Sequence, residues 1–252
     1  MRVARLVAAL FLAATVVPGE SGASAGMNLY WNDCSAGVGT TKRVFACDAN
    51  VGSNTLVVSF APPDGITKLV AARAVIDLRS ATSPLPPWWR LGAGGCREGS
   101  LTASFTPPAS HACGDYWSGA TLQDLSYSTD LGGDPTRARI VISFSIPEAA
   151  AGPVSTGTEY YAFSLAIDNA KSTGAEMCTG CADPVCIVLE ELTLYQAPGL
   201  GDYRICDAST SNFTTWQGGA IGGSGCPGAD YHYPCTTPVL NRTWGRMKSL
   251  YR

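Results

Sequence analysis

The sequence predicts an all-β protein, a disulfide-stapled β-sandwich of jelly-roll or immunoglobulin-like type with at most a short C-terminal helix. Three observations lead to this fold class. Short runs of alternating apolar and polar residues recur along the chain, and such runs suit half-buried strands. Turn-forming residues are frequent, with 28 glycines and 16 prolines. Ten cysteines are present, an even number that is typical of disulfide-bonded exported proteins.

The first 25 residues have the pattern of a secretory signal peptide. Arg2 and Arg5 precede an uncharged apolar run over 6–18, and Ala23 and Ala25 supply the small residues that signal peptidase requires. The apolar run is shorter than the roughly 20 residues that cross a bilayer. We therefore predict cleavage near Ala25, a β-sandwich domain over 26–198, and a cysteine-containing C-terminal extension over 199–252 that packs on the same domain. The mature protein is predicted to be secreted, with no membrane span, and surface attachment stays open.

The strands follow from the alternation, taken in chain order. Predicted strands cover residues 27–31, 42–47, 56–60, 68–79, 101–105, 140–146, 160–167, 187–194, 203–206 and 212–216. Residues 83–89 carry three prolines and are predicted to be neither helix nor central strand. Residues 113–136 are polar and are interpreted as a connection that ends in a Gly-Gly-Asp-Pro turn. Only residues 242–251 have spacing that suits a helix.

The strand over 187–194 changes phase at Glu190-Glu191. Ile187 and Leu189 share one phase, and Leu192 and Leu194 share the other. A slip of one residue is what a β-bulge produces, so a bulge or a bend is the simpler interpretation. The alternative places one of the two glutamates in a site, since a bulge can re-aim a side chain that would otherwise face away.

All ten cysteines lie beyond the predicted cleavage site: Cys34, Cys47, Cys96, Cys113, Cys178, Cys181, Cys186, Cys206, Cys226 and Cys235. Proximity suggests three pairs, Cys34 with Cys47, Cys96 with Cys113, and Cys226 with Cys235, each stabilising by on the order of 3 kcal/mol. The pairing of the other four is not fixed by spacing. Cys178-Thr-Gly-Cys181 has the spacing of a redox pair, and zinc is a second alternative. Structural disulfides are favoured because neither a helix context nor four metal ligands accompany the motif.

No catalytic residue, metal or cofactor is predicted. His111 and His232 are the only histidines, both are interpreted as loop residues, and no G-x-S-x-G elbow accompanies them. A glycosidase needs only two carboxylates, and calcium needs oxygen ligands, although no spaced D-x-D-x-D loop is present. The candidate carboxylates for hydrolysis are Asp77, Glu159, Asp168, Glu190 and Glu191, and those for calcium are Asp130, Asp134 and Asp183. Without its signal peptide the chain has a net charge near −4 and no basic cluster, which argues against nucleic acid as a partner.

Tryptophans beside turns are the candidate ligand-binding residues. Trp88, Trp89 and Trp117 lie in predicted loops, where a sandwich presents its binding residues, and indole faces stack on sugar rings. In the alternative interpretation these rings close the ends of the core. Possible partners are therefore a glycan or another surface protein. The oligomeric state and the ligand are not fixed by the sequence.

Several stretches taken together are similar to known proteins: LPPWW, GTEYYAFSLAIDNAKSTG, CTGCADPVCIVLEEL and NRTWGRMKSLYR. The mature chain resembles, over most of its length, a group of uncharacterised secreted bacterial proteins. The pattern of a strand, a loop and IVLEELTL loosely resembles cohesin-type and other adhesion sandwiches, which implies a fold but no site. The C-terminal segment NRTWGRMKSLYR is either a sorting tag for a secretion system or a helix that packs on the sandwich. We expect a non-enzymatic protein with a structural, adhesion or protein-binding role, with a carbohydrate-binding module or a carboxylate-based glycosidase as alternatives.

Overall fold

Two β-sheets face each other across one apolar core. The computed structural model describes residues 25–109 and 111–218. The strands are β1 Gly26–Trp31, β2 Lys42–Arg43, β3 Ser53–Ala61, β4 Leu69–Ser80, β5 Leu101–Ser104, β6 Gly114–Asp115, β7 Thr121–Leu131, β8 Asp134–Ser145, β9 Tyr160–Asp168, β10 Val185–Gln196, β11 Tyr203–Ile205 and β12 Phe213–Trp216. Within those two ranges the only helical elements are two three-residue 3-10 turns, Pro87–Trp89 and Glu148–Ala150. The predicted all-β sandwich is confirmed.

The larger sheet has seven strands. Six of them lie in the order β2-β12-β10-β4-β8-β7, and β11 adds to β10. Strands β4, β8 and β10 have 12 residues each and form antiparallel pairs with one another through β4 at the centre. Strand β7 pairs only with β8 and forms an edge of the sheet.

The smaller sheet has five strands, in the order β1-β3-β9-β5 with β6 added to β9. The outer edge of β1 is covered, because its backbone bonds to the segment after β11 at Asp207, Ser209 and Ser211. Part of the outer face of this sheet is also covered, because Val57 of β3 and Tyr161 of β9 pack on the Cys34–Cys113 disulfide. The β1 edge of this sheet therefore offers little free backbone, whereas β5 forms the opposite edge and has exposed side chains.

Alternation sorts the side chains between the core and the outer faces. On β4, the residues Ala72, Ala74, Ile76 and Leu78 lie in the main core. Residues of the opposite phase on the same strand, such as Arg73 and Arg79, make ion pairs on the outer face. The core is the interior of a two-layer sandwich, and the outer face of the seven-stranded sheet is lined with polar and charged residues.

The structure also corrects the predicted elements. The polar segment interpreted as a connection contains β7, an 11-residue strand whose side chains are nearly all exposed. Leu125 and Tyr127 of this strand pack against the core, but they make too short an alternating run to identify a strand of this length. The second predicted strand is reduced to Lys42–Arg43, and the proline-rich segment forms a 3-10 turn that begins at Pro87. The predicted signal sequence before Ala25 and the predicted helix over 242–251 lie outside the described residues.

Three disulfides join distant parts of the chain: Cys34–Cys113, Cys47–Cys181 and Cys96–Cys178. The predicted pairs Cys34–Cys47 and Cys96–Cys113 are therefore wrong. Proximity in sequence did not predict these disulfides, because the sandwich brings together cysteines that are 79 to 134 residues apart. Cys186 and Cys206 are also disulfide-bonded. Cys226 and Cys235, the third predicted pair, lie outside the described residues.

The predicted bulge is confirmed. The register between β10 and β4 shifts between Leu189 and Glu191, so Glu190 is the extra residue. As a result both glutamates reach arginines of the outer face, Glu190 reaching Arg79 and Glu191 reaching Arg73. Across the described residues we find no helix long and apolar enough to cross a membrane.

Candidate binding groove on the seven-stranded sheet

The three tryptophans predicted to bind a ligand are buried. Trp88, Trp89 and Trp117 have no exposed surface. Trp88 and Trp89 meet edge to face at 73° with centroids 5.0 Å apart, and Trp117 packs edge to face on Phe144. A ring without an exposed face cannot stack on a sugar, so the structure agrees with the alternative interpretation, in which these rings close the ends of the core. The three tryptophans lie next to turns, but the loops that carry them fold inward over the end of the core.

Trp88 belongs to a structural cluster around Arg97. The Arg97 guanidinium lies 3.5 Å from the Trp88 ring centroid and donates to the carbonyls of Trp88, Asp168 and Ala170. Burial lowers the pKa of Arg97 to about 10, and the nearby Asp168 carboxylate partly offsets that effect. Together with the Cys96–Cys178 disulfide, this cluster fixes the loop that follows β9.

Asp77 is the centre of an ionic cluster on the outer face of the seven-stranded sheet. Its carboxylate is fully buried, accepts two hydrogen bonds from Arg139 at 2.6 and 2.9 Å, and accepts one from Arg137 at 2.7 Å. Glu190 lies close by and contacts Arg79 at 3.3 Å. Burial raises the pKa of Glu190, and repulsion from Asp77 raises it further. These two carboxylates are therefore joined to arginines within the sheet.

The other candidate carboxylates also have structural partners. Glu191 contacts Arg204 at 2.6 Å and accepts a hydrogen bond from Thr193 at 2.8 Å. Glu159 accepts hydrogen bonds from the backbone and side chain of Ser35, the backbone of Ala36, and the side chains of Asn28 and Ser59. These contacts hold the loop after β1 against the five-stranded sheet.

The remaining candidate motifs also have structural explanations. Cys178 and Cys181 bond to two different cysteines, so the CTGC segment forms no redox pair in this fold. The His111 ring lies 2.8 Å from the Pro108 carbonyl, and His232 is outside the described residues. Among the calcium candidates, Asp134 accepts two hydrogen bonds from Thr136, which lower its pKa. Within the described part of the chain, no three His, Cys, Asp or Glu residues are grouped as metal ligands.

A groove of about 490 Å³ opens on the outer face of the seven-stranded sheet, across β10, β4, β8 and β7. Its lining residues are Ala71, Ala72, Arg73, Gln123, Asp124, Ser126, Val141, Ser143, Phe144, Ser145 and Tyr195. This volume falls in the range of ordinary ligand sites. None of the residues predicted to bind a ligand is among them.

Strand register explains the shape of the groove. Ala71 of β4 lies between Tyr195 of β10 and Ser145 of β8, so a small side chain is flanked by an aromatic one. Burial raises the pKa of the Tyr195 hydroxyl, in keeping with a ring that leans into the sheet surface. Alanine and serine side chains thus form the floor, and Tyr195 forms one wall.

The opposite wall comes from a second bulge. The register between β7 and β8 shifts between Leu122 and Asp124, and as a result Gln123 and Asp124 both line the groove. Gln123 is held in place by a hydrogen bond of 3.2 Å to the Ser145 hydroxyl. Sequence reasoning missed this site because it depends on β7, which was interpreted as a connection, and on four strands that only the fold brings together.

No family model matches the chain, and no curated protein matches it. Among solved structures, the chain is similar to the second type II cohesin module from the cellulosomal adaptor ScaA scaffoldin of Acetivibrio cellulolyticus. That likeness covers 73% of this chain and 90% of the module, with 13% identity and a TM-score of 0.30. This likeness transfers no residue and no role to this chain.

Proposed function

We propose that this chain is an extracytoplasmic, non-enzymatic binding module that holds a protein partner in the groove of the seven-stranded sheet. The observation that carries the proposal is the groove itself, an open site of about 490 Å³ on the outer face of a rigid sheet. Its floor of small side chains leaves room for side chains of a partner. Rigid strands position such a site more accurately than loops do.

Three long-range disulfides support an extracytoplasmic location, because such bonds persist in oxidising compartments and are rare in the cytosol. The signal-peptide pattern of the first 25 residues agrees with that location. A binding role is favoured over hydrolysis because the candidate carboxylates are already engaged. Asp77, Glu190 and Glu191 neutralise arginines, and Glu159 holds a loop in place.

A protein partner is favoured over a glycan because the groove continues onto β7. That edge strand has 11 residues with largely exposed side chains, and edge strands present backbone groups to a partner chain. A protein interface needs roughly 800 Å² on each side, more than a groove of this size supplies alone. The groove and β7 together form a wider contact surface.

A display library of random linear peptides tests the proposal, with the oxidised wild-type protein and its Ser143→Trp variant as targets. Ser143 lies on the groove floor and is half-buried, so an indole there fills the groove without entering the core. We expect peptides to be enriched on the wild type and to lose at least about tenfold in affinity on the variant. The matched control is Thr102→Trp on β5 of the other sheet, which should leave affinity unchanged.

A glycan array run on the same proteins covers the carbohydrate alternative. Glycan binding that disappears in Ser143→Trp, with no peptide enriched, would show that the groove holds a sugar instead. Peptides that bind Ser143→Trp as tightly as the wild type would refute the groove as the binding site.

A further inference from the structure

We propose that the partner segment is charge-paired: it brings an acidic side chain to Arg73 on one side of the groove and a basic side chain to Asp124 on the other. This inference rests on the proposed function, since it specifies the chemistry of the segment that the groove would hold. A segment with the opposite arrangement of charges would be rejected by the same two residues.

The two charged residues lie in one cross-strand row. Arg73 of β4 and Asp124 of β7 are both register partners of Ser143, which lies between them on β8. Neighbouring strands are about 4.8 Å apart, so the two backbone positions are separated by roughly 10 Å. Ser143 is short and does not fill the space between them. The groove therefore has a cation and an anion on opposite sides of a low floor.

Arg73 is only weakly engaged within the protein. Its guanidinium lies 3.6 Å from Glu191, a contact too long for a good hydrogen bond, and its side chain is 37% exposed. Glu191 makes shorter contacts elsewhere, to Arg204 at 2.6 Å and to Thr193 at 2.8 Å. Because Glu191 is mainly satisfied by those two residues, Arg73 keeps donors that can bind a carboxylate from a partner.

Asp124 is exposed, and in the described part of the chain the ion pairs join other carboxylates. The bulge at Gln123 turns Asp124 toward the groove, where it is part of the lining. The nearest cation of the same row is Arg73, two strands away. An ammonium or guanidinium group from a partner can therefore bind Asp124 without displacing an internal partner.

The separation of the two charges favours a peptide that crosses the strands. Side chains at positions i and i+2 of an extended peptide point the same way and lie about 7 Å apart. Long acidic and basic side chains at that spacing cover the remaining distance to Arg73 and Asp124. The motif expected in a partner is therefore an acidic and a basic residue separated by one or two residues.

Charge reversal on each side of the groove tests this inference. Peptides selected on the oxidised wild type from a random linear dodecapeptide library are synthesised, and their dissociation constants are measured by isothermal titration calorimetry. The groove variants are Arg73→Glu and Asp124→Lys. The matched controls, Lys42→Glu and Asp64→Lys, make the same charge changes at exposed positions outside the groove lining.

We expect the selected peptides to carry the acidic and basic pair and to bind each groove variant about tenfold more weakly, with the controls within about twofold. A peptide with its two charges exchanged should bind the double variant Arg73→Glu/Asp124→Lys as tightly as the original binds the wild type. Peptides that are excluded by Ser143→Trp but bind both charge variants unchanged would overturn the inference and leave the proposed function standing. Peptides that are indifferent to Ser143→Trp would overturn both.

Discussion

Arg73 and Asp124 flank Ser143 in a single cross-strand row of the seven-stranded sheet. The strands that carry them are separated in the chain by β5 and β6, which belong to the other sheet. The pairing of β8 with both strands brings the two charges to one surface. The same sheet places Asp77 and its arginines on that outer face, in a cluster that is closed by its own ion pairs. The Asp77 carboxylate is satisfied by arginines of the protein itself, whereas Arg73 and Asp124 are open to a partner.

Replacement of Asp77 by asparagine should lower the free energy of unfolding by about 3 kcal/mol. The substitution removes the buried carboxylate that neutralises Arg137 and Arg139 and leaves two guanidinium groups side by side. Urea denaturation followed by far-ultraviolet circular dichroism measures the change. Asp64→Asn, at an exposed turn, is the control and should change stability by less than about 0.5 kcal/mol. An unchanged midpoint for Asp77→Asn would show that the cluster contributes nothing.

The stability of the Glu190→Gln variant, compared with that of the wild type, should improve as the pH rises. The pKa of Glu190 lies above its ordinary value of 4.5 in the folded state, so the folded protein binds this proton more tightly than the unfolded chain does. The stabilisation from that proton is complete below pH 4.5 and is lost as the pH rises through the folded pKa. Glutamine has no such proton to lose.

The melting temperatures of the two proteins at pH 4 and pH 7 check this sign. The difference in favour of Glu190→Gln should be larger at pH 7. Glu148→Gln, at an exposed salt bridge with Lys68, is the control and should show no comparable change. If the melting temperature of Glu190→Gln minus that of the wild type stays constant or falls between pH 4 and pH 7, the raised pKa of Glu190 is contradicted.

The cross-linked pairs recovered by non-reducing peptide mapping should include Cys34–Cys113, Cys47–Cys181 and Cys96–Cys178. The double variant Cys96→Ser/Cys178→Ser should lose about 4 kcal/mol of stability, because that bond closes a long loop in the unfolded chain. Recovery of Cys34 linked to Cys47 would contradict the fold, since each is bonded to a different partner in it.

Trp88→Ala should lower the free energy of unfolding by about 3–5 kcal/mol, the usual cost of truncating a buried aromatic side chain. Val44→Ala, at a 74% exposed position, is the control and should have little effect. The difference in fluorescence between the wild type and a Trp88→Phe variant reports Trp88 alone, and this component should resist quenching by acrylamide. Efficient quenching together with a small stability loss would instead indicate that the ring is exposed.

The fold class and the bulge at Glu190 were predictable because both leave a local signal. Alternation identifies strands with one buried face, and a slip of phase in Ile187 to Leu194 marks the extra residue. Strand β7 gave a weaker signal, because its alternating core-facing residues are limited to Leu125 and Tyr127 and most of its other side chains are exposed. The C-terminal features that the sequence suggested, including the helix over 242–251, stay predictions.

The candidate site was not predictable, for two physical reasons. Burial of a tryptophan depends on how a loop folds over the core, and the sequence beside Trp88 and Trp89 does not encode that path by itself. The groove depends on register between strands far apart in the chain, which sets Arg73 and Asp124 beside Ser143. The same lack of long-range information explains the two wrong disulfide pairs.

Amide and methyl chemical-shift changes on isotope-labelled protein, titrated with a selected peptide, test the central claim most directly. The groove account predicts that the largest changes fall on Ala71, Asp124, Val141 and Ser143 and that these changes are absent from the Ser143→Trp variant. Changes that cluster instead on β9 of the five-stranded sheet, or on the loops around Trp88, would contradict it.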